Sequence, residues 1–136
     1  MRKELHCKQI LSFSNGVVEA LILKIKSLDM LLVAMYRPPN TDNDSWIEAL
    51  EKVNSEIGLA QANGSYSTII VTGDFNMGKV NWNKGNIEII PGMSKQEIEF
   101  VNFVTNNFLE NKVMKPTRNS NILDLVLTND QSGQWC

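Results

Sequence analysis

Thr68, Ile69, Ile70, Val71 and Thr72 form an unbroken β-branched run, and Gly73 ends it. β-Branched side chains are stiff at χ1 and pack well on a pleated surface, so the run reads as a buried strand. Glycine breaks the pattern, and the chain leaves as Gly-Asp-Phe-Asn. Side chains alternate along a strand, so Asp74 and Asn76 point to one side at its C-terminal end. Open α/β sheets place their chemistry at such ends. A carboxylate there can hold Mg²⁺ or orient a water, and an amide two residues on can donate to a phosphate oxygen. An Asx turn, with Asp74 capping the chain's exit, accounts for the same pair without chemistry.

The remaining segments supply partners for that strand. Residues 9–13 are strand-like, Asn15-Gly16 is a hairpin turn, and Val17–Lys26 continues as a strand. Met30–Tyr36 is another buried strand, stopped by Arg37-Pro38-Pro39-Asn40 because proline cannot continue a central ladder. From Asp44 to Ala62 the apolar spacing becomes helical: Trp46, Ile47, Leu50, Val53 and Ile57 share a face, and Asn63-Gly64 suits the cap. Ile87–Ile90 is a candidate short strand. Ser94-Lys95-Gln96-Glu97 has the capping-box form and starts a helix expected to turn Ile98, Val101, Val104 and Phe108 inward. Ile122–Thr128 is a last apolar strand with Asp124 inside it. The order β-β-β-α-β-α-β predicts an α/β fold, a mixed sheet layered with helices.

Composition narrows the classes. At 136 residues with 43% apolar content the chain is at most one domain, with enough to bury a core. A net charge of −2 gives no basic footprint, which argues against a protein living by phosphate contacts alone. An enzyme that meets a phosphate through a cation is not excluded. Cys7 and Cys136 lie at opposite ends with no metal spacing, as expected of a reduced intracellular chain. The polar Glu4 and His6 leave no signal-peptide core after Met1-Arg2-Lys3, and no apolar run approaches a membrane span.

Other residues carry two readings each. The proline turn fixes Tyr36 near the same sheet edge, as a functional phenol or as an aromatic covering the rim. Asp124, alone among apolar neighbours, implies a buried partner or marks the wet face of its strand. His6, the single histidine, reads as a surface residue. Trp46 and Trp82 read as core or loop-anchoring aromatics.

"YRPPN", "TGDFN", a capped helix, "KPTR" and "NILDLVLTN" occur here in the order and spacing of one family. The chain resembles the endonuclease/exonuclease/phosphatase superfamily, and most closely the endonuclease domain of non-LTR retrotransposon polyproteins of the jockey and chicken-repeat kind. The resemblance runs from about Asn15 to Asp130. It implies a DNase I-like four-layer α/β sandwich that hydrolyses DNA with Mg²⁺ and leaves a 3′-hydroxyl to prime reverse transcription. By the same resemblance Asp74 orients or deprotonates the attacking water beside the metal and is the metal ligand. Asn76 holds the scissile phosphate, Tyr36 contacts it, and Asp124 orients a catalytic histidine. Many members place an asparagine three residues after the tyrosine; this chain has Pro39 there and Asn40 one later. DNA is the implied partner, with no membrane and no small-molecule cofactor, and the implied location is the nucleus.

Two departures shape the expectation. The family's first asparagine and metal-binding glutamate precede the matched region, and its Ser-Asp-His should follow Asp130. Glu4, in a polar terminus, and Glu19, in a strand pattern, do not substitute. Residues 1–136 are therefore expected to form a single partial domain, an incomplete sandwich inactive as it stands. Tyr36, Asp74, Asn76 and Asp124 should converge at one end of the sheet. An apolar face should be left open, with residues among Val18, Ala20, Ile22, Leu32 and Ala34 less buried than their identity suggests. Two rival expectations are a phosphatase of the same fold, acting on phosphoinositide or sphingolipid head groups, and a non-enzymatic remnant or interaction module.

Overall fold

Asn15 and Gly16 turn the chain where their sequence predicts. Gly16 takes φ +86°, and the Asn15 carboxamide oxygen accepts from the backbone N–H groups of Val17 and Val18 at 3.1 and 2.9 Å. The computed structural model describes residues 7–64, 66–77, 86–112 and 124–130. The turn joins β1 (Cys7–Ser14) to β2 (Glu19–Ile25), and a 3₁₀ turn at Lys26–Leu28 leads to β3 (Met30–Tyr36). β1 carries a bulge: its register shifts between Gln9 and Leu11.

Helix α1 (Asn43–Ala62) is capped by Asp42, whose side chain accepts from Ser45 N–H. It returns the chain to β4 (Thr68–Asp74), which runs parallel to β3. Parallel neighbours need such a crossover, because no hairpin can reverse the chain twice in so short a span. Helix α2 (Lys95–Asn106) begins with a complete capping box between Ser94 and Glu97. The two-residue β5 (Glu110–Asn111) and β6 (Asp124–Thr128) follow. One mixed six-stranded sheet results, in the order β1-β2-β3-β4-β6-β5, with β3–β4 its parallel pair.

Both helices pack on one face. Ile22, Leu31, Val33, Ile69, Val71 and Leu127 are at most 2% exposed there, against Trp46 and Val53 of α1 and Phe100 and Phe103 of α2. The opposite face carries Leu21, Leu32, Ala34, Ile70 and Val126 at intermediate burial. The expectation of a less buried face thus fits Leu32 and Ala34. It fails for Val18, Ala20 and Ile22, which are 0, 5 and 0% exposed. The register is the reason: Ile22 pairs with Val33 and Ala20 with Met35, so β2 turns these residues to the helices and Leu21 away.

Two further expectations are corrected. Ile87–Ile90 is not a strand: Asn86 alone makes a bridge, Ile87 is buried, and Ile89 and Ile90 are exposed. Pro91 and Gly92 end the segment before a ladder can extend. Phe108 does not face inward. The helix ends at Asn106, the Asn107 side chain donates to the Phe103 carbonyl at 2.8 Å, and Phe108 at φ +56° is 75% exposed. Phe100, Phe103 and Leu109 take the buried places, with Ile98 half-buried.

Among the described residues, no helix is long and apolar enough to cross a membrane. The capping box offers a clean probe of α2. Ser94→Ala is expected to cost about 1 kcal/mol, read as a lower urea midpoint at unchanged slope.

Candidate active site

The register decides what meets at the C-terminal end of β3 and β4. Tyr36 lies opposite Asp74, and Asp74 lies opposite Asp124 on β6. On the other flank Tyr36 lies opposite Glu19, and Glu19 opposite Ser14. Residues in register on neighbouring strands lie side by side in the parallel β3–β4 pair and the antiparallel β4–β6 pair alike. Tyr36, Asp74 and Asp124 therefore occupy one level across three adjacent strands. For Asp124 the backbone register alone is described. The level below carries Leu21, Ala34, Thr72 and Val126, so the sheet turns from apolar to polar in one step. Tyr36 is 42% exposed, and an open hollow of about 360 Å³ lies beside it, lined by Ser12, Ser14, Glu19 and Leu21 among others. In the sequence Glu19 reads only as part of a strand pattern; its place beside Tyr36 depends on cross-strand pairing, which the sequence does not display.

Asn76 sits two residues beyond the end of β4, in a left-handed conformation at φ +50°. The Asp74 Oδ1 accepts from its backbone N–H at 3.3 Å, so the Asx turn forms, at the same place as the acid–amide pair. The Asn76 Nδ2 donates to the Arg37 carbonyl at 2.7 Å, and the Arg37 backbone N–H donates to the Asp74 carbonyl at 2.9 Å. The loops after β3 and β4 are thereby bonded to each other. Gly73 permits the approach: at φ +153° its backbone lies so close to β3 that a Cβ would overlap the Met35 carbonyl. Asn40, in the proline turn, is exposed and also left-handed at φ +63°.

Arg37 is the hub of this loop pair. Its Nη1 donates to the carbonyls of Phe75 and Asn76 at 3.1 and 3.2 Å, and its Nε and Nη2 donate to Gln96 Oε1 at 3.1 and 2.6 Å. Gln96 Nε2 donates onward to the Thr41 carbonyl and to Asn43 Oδ1 at 2.6 and 2.9 Å. The guanidinium lies 5.6 Å from the Trp46 ring centroid, and Trp46 Nε1 donates to the Gln96 carbonyl at 3.1 Å. Phe75, fully buried between Trp46 and Phe100, anchors the middle of the loop with ring centroids 6.4 and 5.2 Å away. Burial lowers the Arg37 pKa from its ordinary value and the charge of Glu97 opposes the shift. A guanidinium nevertheless stays protonated in water's pH range. Sequence reasoning found Trp46 as a core residue but missed Arg37 and Gln96 as partners. They stand 59 residues apart, and in the sequence Gln96 reads only as the interior of a capping box.

The row is not by itself a metal centre. Mg²⁺ takes six oxygens in near-octahedral geometry, commonly one or two carboxylates completed by water and phosphate oxygens. Asp74 offers one carboxylate, already engaged by Asn76 N–H through one oxygen. Among the described residues no group of three His, Cys, Asp or Glu side chains is placed to hold a metal ion. Among the described residues Asp74 is the carboxylate that would hold such an ion, the rest of its shell falling to water and phosphate oxygens. Glu4, His6 and Trp82 lie outside the described residues.

Residues 30–134 match the model of a family described as endonuclease-reverse transcriptase. The fold is similar to that of an endonuclease/exonuclease/phosphatase family protein from Bacteroides thetaiotaomicron, at a TM-score of 0.51 and 12% identity. The match covers 90% of this chain and 50% of that one, so the chain spans about half the length of that solved structure. No curated protein matches the sequence at a significant level. The matched residues take in β3 with the tyrosine–proline turn, the Gly-Asp-Phe-Asn loop, α2 and β6, which is most of the chain, and the chain therefore belongs to the endonuclease-reverse transcriptase family.

Proposed function

We propose that the chain forms the phosphate-handling part of a DNA endonuclease domain of the non-LTR retrotransposon kind, with a nuclear site of action. The single observation that carries this is the level shared by Tyr36, Asp74 and Asp124, with Asn76 held just above it. Each residue type suits a task in phosphodiester hydrolysis. Asp74 orients the attacking water or accepts its proton. The Asn76 carboxamide has a second N–H to give to a phosphate oxygen. The exposed Tyr36 hydroxyl donates to the same group. Asp124 fits the role of orienting a general acid or base, and Asn40 that of a flanking phosphate contact. A carboxylate row repels a polyanion unless a cation intervenes, which is the physical reason to expect Mg²⁺ dependence in the family's manner.

These 136 residues alone are proposed to be poor catalysts, because the matched stretch carries neither the metal-binding glutamate nor the Ser-Asp-His that the resemblance calls for, and among the described residues no group of three His, Cys, Asp or Glu side chains is placed to hold a metal ion. Loss of one member of such a constellation commonly costs about 10²–10⁴ in rate. The test has two arms on the purified chain. In the first, Mg²⁺ and a short DNA duplex are titrated while backbone amide resonances are followed. Shifts gathered at Tyr36, Asp74, Asn76 and Asp124, removed by EDTA and absent for inositol phosphates, are the expected result. Shifts gathered at the lysine-lined hollow beside Lys8, Lys24 and Lys26, at the other end of the sheet, would overturn the assignment. In the second arm supercoiled plasmid is incubated with Mg²⁺. No nicking above buffer is expected, and nicking that Asp74→Ala abolishes would refute the inactivity.

A further inference from the structure

An arginine in a loop beside a proposed phosphate site is expected to bond outward to DNA. The contacts of Arg37 say otherwise. Nε, Nη1 and Nη2 all donate to groups of this chain: two loop carbonyls on one side and one carboxamide oxygen on the other. The guanidinium is half-buried, with Trp46 near one face. A planar fork of donors is what allows three acceptors to be bridged at once, and an ammonium lacks that geometry.

We infer that Arg37 is a positioning residue, which with Gln96 as its brace fixes the left-handed turn at Asn76 and so sets the distance from the amide to the Asp74 carboxylate. The inference rests on the proposed phosphate-handling role of Asp74 and Asn76. Left-handed backbone at a residue with a side chain carries a conformational cost and persists only where its surroundings over-determine it. Three bonds do so here. The Asn76 carbonyl is held by Nη1, its N–H is held by Asp74 Oδ1, and its side chain is held by the Arg37 carbonyl. The first is the bond that a change of the Arg37 side chain removes, whereas the second is local to the turn and the third goes to the Arg37 backbone. Gln96 reaches the Arg37 guanidinium from α2 through its Oε1, and its Nε2 donates to Thr41 and Asn43 at the start of α1. The brace thus ties the proline turn, the Gly-Asp-Phe-Asn loop and both helix N-termini into one rigid corner.

The test compares the full chain with Arg37→Met and Arg37→Lys by NMR. The expected result in both variants is amide exchange faster by about tenfold or more at Arg37 and Asn76, with the three-bond HN–Hα coupling of Asn76 leaving its left-handed value. Amides of Ile22 and Val33 in the β2–β3 ladder stay within about twofold of wild type. Retention of the wild-type coupling and exchange at Asn76 in either variant would overturn the inference. So would an equal rise everywhere, which marks a merely structural arginine. Titration with duplex DNA and Mg²⁺ reads the underlying proposal separately. If the Asn76 turn loosens but neither wild type nor Asp74→Asn responds to DNA, the nuclease role fails while the positioning role stands. If wild type responds and Arg37→Lys responds about tenfold more weakly, both stand.

Discussion

Gly73→Ala is expected to destabilise the chain by roughly 3 kcal/mol or more, enough to leave much of a marginally stable domain unfolded. Two independent causes act together. At φ +153° an L side chain is strained whatever space surrounds it, and here the new Cβ meets backbone, the Met35 carbonyl, with no flexible atom to move aside. Relief demands that β3 and β4 separate at the end where Tyr36 and Asp74 pair, so damage to stability and to the site arrives by the same route. Gly64 and Gly92 are the controls. They are also at positive φ, +62° and +90°, but a Cβ at either meets nothing within 4 Å. Alanine there should cost only the backbone term, about 1 kcal/mol. Urea unfolding followed by circular dichroism checks all three, and a Gly73→Ala loss no larger than that of the controls would show that the strands part easily.

The second large effect is expected at Trp46. Its side chain is fully buried, meets Phe75 edge-on, tilts against Phe100, and donates to the Gln96 carbonyl. Trp46→Ala is expected to cost about 3–5 kcal/mol through lost transfer energy and the cavity left behind. Trp46→Phe keeps most of the packing and removes the indole N–H bond to the Gln96 carbonyl, which as the second residue of α2 still has its helical partner, so about 1 kcal/mol is expected. A ratio near unity between the two losses, measured by urea midpoints, would mean that the hydrogen bond and not the volume carries the residue's worth. Either change should also loosen the corner built on Arg37, since Trp46 touches two of its members.

Much of this architecture was legible because its signals are local. A β-branched run, an Asn-Gly turn, a Pro-Pro stop and a Ser-x-x-Glu box each state their structure within five residues, and each is present. The convergence of Tyr36, Asp74 and Asp124 was legible by resemblance, since each sits at a strand end or strand start. What stayed hidden depends on pairs distant in sequence. Which face of β2 meets the helices is set by pairing with β3, so Val18, Ala20 and Ile22 were assigned to the wrong environment. The Arg37–Gln96 brace and the neighbouring place of Glu19 depend on tertiary closure, and no spacing rule encodes them. Ile87–Ile90 and Phe108 failed for the converse reason. Each has the local pattern, but Ile87–Ile90 lacks a ladder and Phe108 follows a helix that has already ended.

The bulge in β1 and the brevity of β5 bear on solubility. A sheet presents two free edges, and a long flat edge invites strands from other molecules. Here one edge is interrupted between Gln9 and Leu11 and carries the exposed Lys8, while the other ends in a strand two residues long. Bulges, charge and short edge strands are the means by which natural sheets discourage edge-to-edge growth. The sheet is thus discouraged from growing into fibres along its hydrogen-bonding direction, and the apolar side chains it leaves half-covered invite association face to face instead, by stacking of one sheet on another.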